Sequence, residues 1–145
     1  AGEILPRTIV SVLYDKQPVI FGDGSITRDF FFVKDTARAL VHLLHTSCID
    51  GLTMNIGTGT EITMTALIKR VLFLMGQEKL GINFQEPRPA DVPRLWVDAS
   101  LFYGTTGFVP RTTFDEGLLE TIRFYRELFG TRDMLSSVTL RNWEK

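Results

Sequence analysis

The chain has 145 residues, 44% of them hydrophobic and 23% charged, with a formal net charge of −1. This is the make-up of one globular domain or of a piece of a larger one. It excludes a helical membrane span, because no run reaches roughly 18 apolar residues, and it argues against nucleic acid as the main partner, because the 16 basic and 17 acidic residues are scattered without a run of one sign. Cys48 is the only cysteine. An internal disulfide is therefore impossible, and a reducing, cytoplasmic setting fits.

Taken in chain order, residues 5–16 read as a helix, with Pro6 in the first turn, where its missing N–H is harmless. Leu5, Ile9, Val12 and Leu13 fall on one side, and Pro18 stops it. Val19, Ile20 and Phe21 form a short strand. A turn through Gly22 and Gly24 follows, and Phe30 to Val33 reads as a second extended piece. Asp35 is placed as the N-cap of a helix over residues 36–46 that carries Ala37, Leu40, Leu43 and Leu44 on one face. Asp50-Gly51 marks a turn, and Leu52-Thr53-Met54-Asn55-Ile56 reads as a strand ending in Gly57-Thr58-Gly59. Thr63 caps a helix over residues 64–75, which Gly76 closes. Residues 82–85 give another strand. Pro87, Pro89 and Pro93 then forbid regular structure between them. Residues 95–97 are extended, Asp98 caps a short helix, and Thr113-x-x-Glu116 is a capping box opening a helix to about Phe129. Residues 131–145 form a tail with little periodicity. Alternating strands and helices predict an α/β fold, with too few strands for a complete doubly wound sheet.

Several residues invite a chemical reading. Arg28, beside the glycine turn, can offer a planar fork to a phosphate; alternatively it pairs with Asp23, Asp29 or Asp35. Arg88 and Asp91 sit on the stiff proline loop and suit a phosphate and a ribose hydroxyl; alternatively they form an exposed ion pair. Asn55 could present an amide to a ligand or bond local backbone. Gly57 to Thr60 could cradle a phosphate, but the plain strand-to-helix turn is favoured, because neither Gly-x-Gly-x-x-Gly nor Gly-Lys-Ser/Thr is present. His42, His45 and Cys48 lack a fourth ligand and the usual zinc spacings, so surface histidines are the better reading. Phe30 to Phe32 reads as core, since no basic stripe flanks it. No Gly-x-Ser-x-Gly elbow occurs. Tyr14, Tyr103 and Tyr125 are followed at the fourth position by Pro18, Gly107 and Phe129, so there is no Tyr-x-x-x-Lys pair.

The segments PVIFGDGSITRDFFFVKDTARAL, MNIGTGTEITMTALI, RPADV, VDAS, TGFVP and TTFDEGLLETIRFYR stand in this order along the chain. Together they resemble the extended short-chain dehydrogenase/reductase superfamily, and within it the C-terminal half of the nucleotide-sugar epimerases and dehydratases. The resemblance implies the C-terminal portion of a Rossmann-like fold in residues 1–130. It implies that Arg28 and Arg88 contact the diphosphate of a nucleotide-sugar, that Asp91 holds the ribose, and that the strand from Val19 to Phe21 lies along the nucleobase. Phe32 stands where the family commonly has a tyrosine, and Phe102 where it has a lysine.

The same resemblance implies NAD or NADP in the parent enzyme and none bound by this chain alone. The family's N-terminal glycine-rich βαβ unit and its Tyr-x-x-x-Lys pair are not among these residues. The chain then reads as the substrate-binding part of a larger epimerase or dehydratase, inactive by itself. The other readings are a non-catalytic nucleotide-sugar-binding module and a proteolytic fragment with only a structural role. A strand at residues 52–56 would have an open edge, so the chain is expected to pair through it, as a homodimer, or to cover it.

Overall fold

The computed structural model describes residues 3–131, 133 and 134. The expected boundary between domain and tail falls at their end, and Trp143 lies outside the described residues. The fold is α/β, and the described residues hold five α-helices and five short strands. None of the described helices is long and apolar enough to cross a membrane.

Helix α1 (Ile4–Leu13) follows Glu3 and carries Pro6 in its first turn. Every residue from Arg7 to Val12 is buried. Strand β1 (Val19–Phe21) is also buried, and pairs in parallel with β4 (Asn83–Gln85), Ile20 opposite Phe84. Strand β2 (Thr27–Arg28) is the centre of a second small sheet. It lies antiparallel to β3 (Ile62–Thr63) and parallel to β5 (Arg94–Leu95), with Arg28 opposite both Ile62 and Leu95.

Helix α3 (Met64–Met75) is bounded as the sequence predicts. The Thr63 hydroxyl accepts from the Ala66 N–H, and Gly76 ends the helix in the left-handed region at φ 69°. Leu67, Ile68, Val71 and Leu72, spaced to share one face, are 0–3% exposed. They meet Ile9 and Val12 of α1 and Leu118 and Ile122 of α5 (Phe114–Phe129), which builds the main core. The Thr113–Glu116 capping box starts α5, and a bidentate Arg70–Asp115 pair ties α3 to it. Gly117 permits a close approach: a Cβ there would lie 3.1 Å from the Phe32 ring.

Helices α2 (Val33–Leu43) and α4 (Ser100–Thr106) flank a smaller cluster of Ala39, Phe102 and Phe108. Three expectations are corrected here. First, α2 starts at Val33 after Phe32, so Val33 is not extended, and Asp35 lies within the first turn rather than at the cap. The reason is tertiary: Asp35, 2% exposed, accepts from the Thr112 and Arg111 N–H groups at 2.9 and 3.3 Å and pairs with Arg38.

Second, the apolar face that carries Leu40 and Leu44 is left uncovered; they are 55% and 82% exposed. The small cluster is too narrow to cover the whole apolar face of α2, and Val33, Ala37, Leu40, Val41 and Leu44 form an exposed stripe. Third, residues 52–56 form no strand. A strand exists only through a ladder, and no ladder partner for this segment stands among the described residues; Met54 and Ile56 pack instead on the small cluster. The chain beyond α5 begins by docking, since the Tyr14 hydroxyl donates to Asp133 and accepts from the Met134 N–H.

Asp35 gives a test. Burial alone would raise its pKa, but the Thr112 and Arg111 amides and the Arg38 guanidinium hold it below the usual value. Asp35→Ala is expected to cost about 2–3 kcal/mol in chemical denaturation, because buried donors lose their acceptor. The folded pKa is depressed, so this stabilisation is complete above the unfolded pKa of about 3.9 and is lost as pH falls through the folded value. The stability gap between the native chain and the variant should therefore close below about pH 4.

Candidate functional site

Arg28 sits where β2 leaves its glycine turn. Gly22 and Gly24 adopt φ of 80° and 76°, a region that L side chains with a Cβ avoid. The turn is tied down at both ends. The Gly22 N–H donates to the Gln85 carbonyl at 2.9 Å, and the Gly24 carbonyl accepts from the Thr65 N–H at 3.2 Å. Asp23 stays local, accepting from the N–H and hydroxyl of Ser25.

The Arg28 guanidinium then reaches across the second sheet. It donates to the Thr27 and Val92 carbonyls at 2.7 and 2.8 Å and to the Asp91 carboxylate at 3.1 Å. Its partner is thus Asp91, and not Asp23, Asp29 or Asp35, the partners weighed for it in sequence. The pair is only about a quarter exposed, 24% and 26% for the two side chains. It fixes the proline loop, in which Ala90 takes a positive φ of 57°.

Arg88, on the same loop, lies with its guanidinium carbon 4.8 Å from the centre of the Phe21 ring. Arg7 of α1 lies over the same ring at 5.4 Å. Phe21, 7% exposed, therefore seats two guanidinium groups. Burial, and then the charge of Arg88, pull the Arg7 pKa down to about 10, and Glu3 opposes this. Arg7 remains a cation at neutral pH.

These residues open on one pocket of about 420 Å³. Arg7, Phe21, Arg28, Arg88 and Asp91 line it above an apolar floor of Ile20, Ile26, Met64 and Leu95. Four of the six residues proposed from sequence thus come together: Phe21, Arg28, Arg88 and Asp91. Val19 is buried in β1, its carbonyl accepting from Arg7, and Asn55 is exposed on the 52–56 segment; neither lines the pocket.

Arg7 was missed in sequence. Its signal was the composition of its helix, because Thr8 to Val12 are small or apolar all round, and a charge amid such a run must be buried.

The second sheet is clamped by Glu61, which accepts from the Arg94 guanidinium and from the Thr27 hydroxyl. These bonds, Arg94 first and Thr27 next, lower its pKa from 4.5 to about 2. Asp29 serves the neighbouring loop, taking the Thr58 and Gly59 N–H groups and the Thr58 hydroxyl.

That last contact bears on the cofactor. Of the Gly57 to Thr60 turn, weighed in sequence as a phosphate cradle, the Thr58 and Gly59 amides are directed at the Asp29 carboxylate and the Thr60 amide at the Thr58 hydroxyl. Those amides already have acceptors within the chain, so this turn does not offer them to a nucleotide phosphate. Tyr103 is no better as a base, since its hydroxyl donates to the Gly57 carbonyl at 2.6 Å and burial, then Asp29 and Asp35, raise its pKa.

Two other hollows are present. One, about 590 Å³, is lined by Phe30, Phe31, Phe32 and the start of α5. The other, about 710 Å³, is shallow and basic, with Arg38, His42, His45 and Arg111. His42 Nε2 lies 2.8 Å from the Thr106 carbonyl. Among the described residues no three His, Cys, Asp or Glu side chains are grouped as metal ligands.

Comparison with known proteins agrees with the α/β fold. A family profile described as GDP-mannose 4,6 dehydratase matches residues 2–121. The dTDP-glucose 4,6-dehydratase of Neisseria gonorrhoeae is 33% identical over 134 residues, which are 85% of this chain and 38% of that protein.

Among solved structures, the UDP-glucose 4-epimerase of Thermotoga maritima, in complex with UDP-glucose, superposes with a TM-score of 0.81 at 28% identity, covering 88% of this chain and 40% of that one. The dTDP-glucose 4,6-dehydratase of Streptomyces venezuelae, with NAD and TDP bound, also gives 0.81, at 25% identity, covering 92% and 41%. The chain thus spans about 40% of the length of the relatives it matches.

The Glu61 clamp is testable by following its side-chain carboxyl resonance against pH. It should titrate near 2 rather than 4.5. The folded pKa is lowered, so the clamp holds above the unfolded value and releases only as pH approaches 2.

Proposed function

Since this chain belongs to the GDP-mannose 4,6 dehydratase family of extended short-chain dehydrogenase/reductases, we propose that it is the substrate-binding part of an NAD(P)-dependent nucleotide-sugar dehydratase or epimerase. One observation carries the reading: the convergence of Arg28, Arg88 and Asp91 on one pocket. In this reading the two guanidinium groups bind the pyrophosphate of a nucleoside diphosphate sugar, Asp91 accepts from a ribose hydroxyl, and β1 runs beside the base. Charged hydrogen bonds of this kind are the strong ones, and a planar fork suits phosphate oxygens.

The chain's share of the work is to bind and orient. A diphosphate held at two points fixes where the sugar lies, which lets the reacting part of an enzyme meet it in one pose. No Tyr-x-x-x-Lys pair occurs in this sequence, and in this reading the chain by itself binds without turnover. A non-catalytic binding module would use the same pocket, and the binding experiment applies equally to it.

The uncovered features support a partner surface. The stripe on α2 and the unladdered residues 52–56 are apolar or backbone-rich surfaces of the kind that docking covers. A second copy of the chain is the proposed occupant.

Titration calorimetry with UDP, dTDP, GDP and CDP tests the pocket. At least one should bind, and Arg28→Ala or Arg88→Ala should each weaken it by roughly 1.5–3 kcal/mol. Unchanged affinity in both variants would remove diphosphate binding from this pocket. Sedimentation equilibrium tests the surface: a dimer is expected, and Leu40→Lys with Leu44→Lys should return it to monomer. A native chain that stays monomeric at high concentration would refute the pairing.

A further inference from the structure

The hollow of about 590 Å³ beside the start of α5 is not used by the diphosphate clamp. Its volume lies in the range of small-molecule pockets. Four phenylalanines line it, Phe30, Phe31, Phe32 and Phe114, together with five threonines. The three consecutive rings are half-buried, and Phe30 meets Phe114 edge to face with ring centres 6.3 Å apart.

The hydroxyls keep capacity for a ligand. Thr121 donates to the Gly117 carbonyl at 2.7 Å, and Thr58 donates to Asp29. A hydroxyl that donates inward still has a lone pair to accept with. Thr60 is exposed, and the bonds described for it run through its backbone. Apolar rings beside hydroxyls match one chemistry well. A pyranose presents C–H bonds on its faces and hydroxyls round its edge, and the electron-rich face of an aromatic ring attracts the C–H side. A purely apolar ligand would leave the threonines unused, and a phosphate would meet no cation.

Among the described residues, Glu61 is the one charged group of the lining. Its bonds to Arg94 and Thr27 keep it an anion at neutral pH. Arg94 itself is not part of the lining. Nor are Lys34, paired with Glu120, and Arg111, which lines the basic cleft. A carboxylate entering the hollow would meet an anion and no cationic side chain, which costs free energy.

The hollow adjoins the nucleotide pocket. Phe30 lines both, and Ile4 and Leu5, adjacent on α1, line one each. Phe30 stands two residues after Arg28, and Ile62, opposite Arg28 across β2 and β3, lines the hollow. A group attached to a phosphate held by Arg28 therefore has the hollow as its neighbour.

We propose that this hollow is the sugar subsite of the nucleotide-sugar pocket, and that it takes an uncharged hexose in preference to a uronic acid. The proposal rests on the reading of the adjacent pocket as a nucleoside diphosphate site. The sugar ring stacks on the phenylalanines, its hydroxyls reach Thr60 and Thr121, and Glu61 repels a sugar carboxylate. Selection then comes from the repulsive element as much as from the rings.

Calorimetry with UDP, UDP-glucose and UDP-glucuronic acid tests this on the native chain, Thr121→Phe and Arg28→Ala. If another base binds better, all three ligands carry that base. The free β-phosphate of UDP has an extra charge, so the readout is how a variant changes the ratio of UDP-glucose to UDP affinity. Thr121→Phe fills the hollow: UDP-glucose should weaken about fivefold, while UDP changes by less than about twofold. The native chain should hold UDP-glucuronic acid about tenfold more weakly than UDP-glucose.

A Thr121→Phe chain that binds UDP-glucose as the native chain does, or that loses UDP and UDP-glucose in equal measure, overturns the subsite. UDP-glucuronic acid bound as tightly as UDP-glucose overturns the choice of an uncharged sugar. If the variant does not fold, the Thr60 and Thr121 methyl resonances of the native chain decide. They should move with UDP-glucose and not with UDP; an equal response to both overturns the subsite. A dimer lost in Thr121→Phe with UDP-glucose affinity unchanged gives the hollow to a second copy and overturns it too. These results leave the diphosphate reading intact if Arg28→Ala still weakens UDP. A native chain that binds no nucleoside diphosphate overturns both.

Discussion

The Arg28 guanidinium joins two parts of the chain that have no covalent reason to meet. It takes the Val92 carbonyl and the Asp91 carboxylate, 64 and 63 residues away. Through that grip the proline loop is held against β2, and Arg88 is carried to the Phe21 ring. Everything proposed about the pocket depends on this one side chain having a fixed place. The glycine turn before it and the Glu61 clamp beside it are the parts that keep β2 from shifting. A mobile guanidinium would lose side-chain entropy on every binding event; one already held loses less.

Signals that act locally were legible in the sequence. Thr63 and Gly76 bound α3, and Thr113 with Glu116 opens α5, because capping is decided within a few residues. The α/β class followed from the alternation of elements. What failed was decided at long range. Asp35 looks like a cap by its place before a helix, yet the amides of residues 111 and 112 draw it into the first turn. Leu40 and Leu44 have the spacing of a core face, but spacing cannot report how much core stands opposite. Residues 52–56 have the composition of a strand without a ladder to join.

The site divides in the same way. Arg28, Arg88 and Asp91 were singled out because each sits in a short stretch whose turn chemistry is distinctive, and they line one pocket. Arg7 carries no such flag, since an arginine in a helix usually snorkels to water. Its burial arises from the packing of α1 on β1 and α3. The exposed stripe of α2 and the unladdered segment are likewise products of packing, which spacing and composition do not report.

The central claim is that Arg28 and Arg88 close on a single pyrophosphate. A crystal structure of the chain grown with UDP or dTDP tests it most directly. The account predicts both phosphoryl groups in the pocket beside Phe21, within hydrogen-bond distance of the two guanidinium groups, and the ribose next to Asp91. A nucleotide bound instead in the basic cleft of Arg38 and Arg111, or oriented with its phosphates away from Arg28, would contradict it.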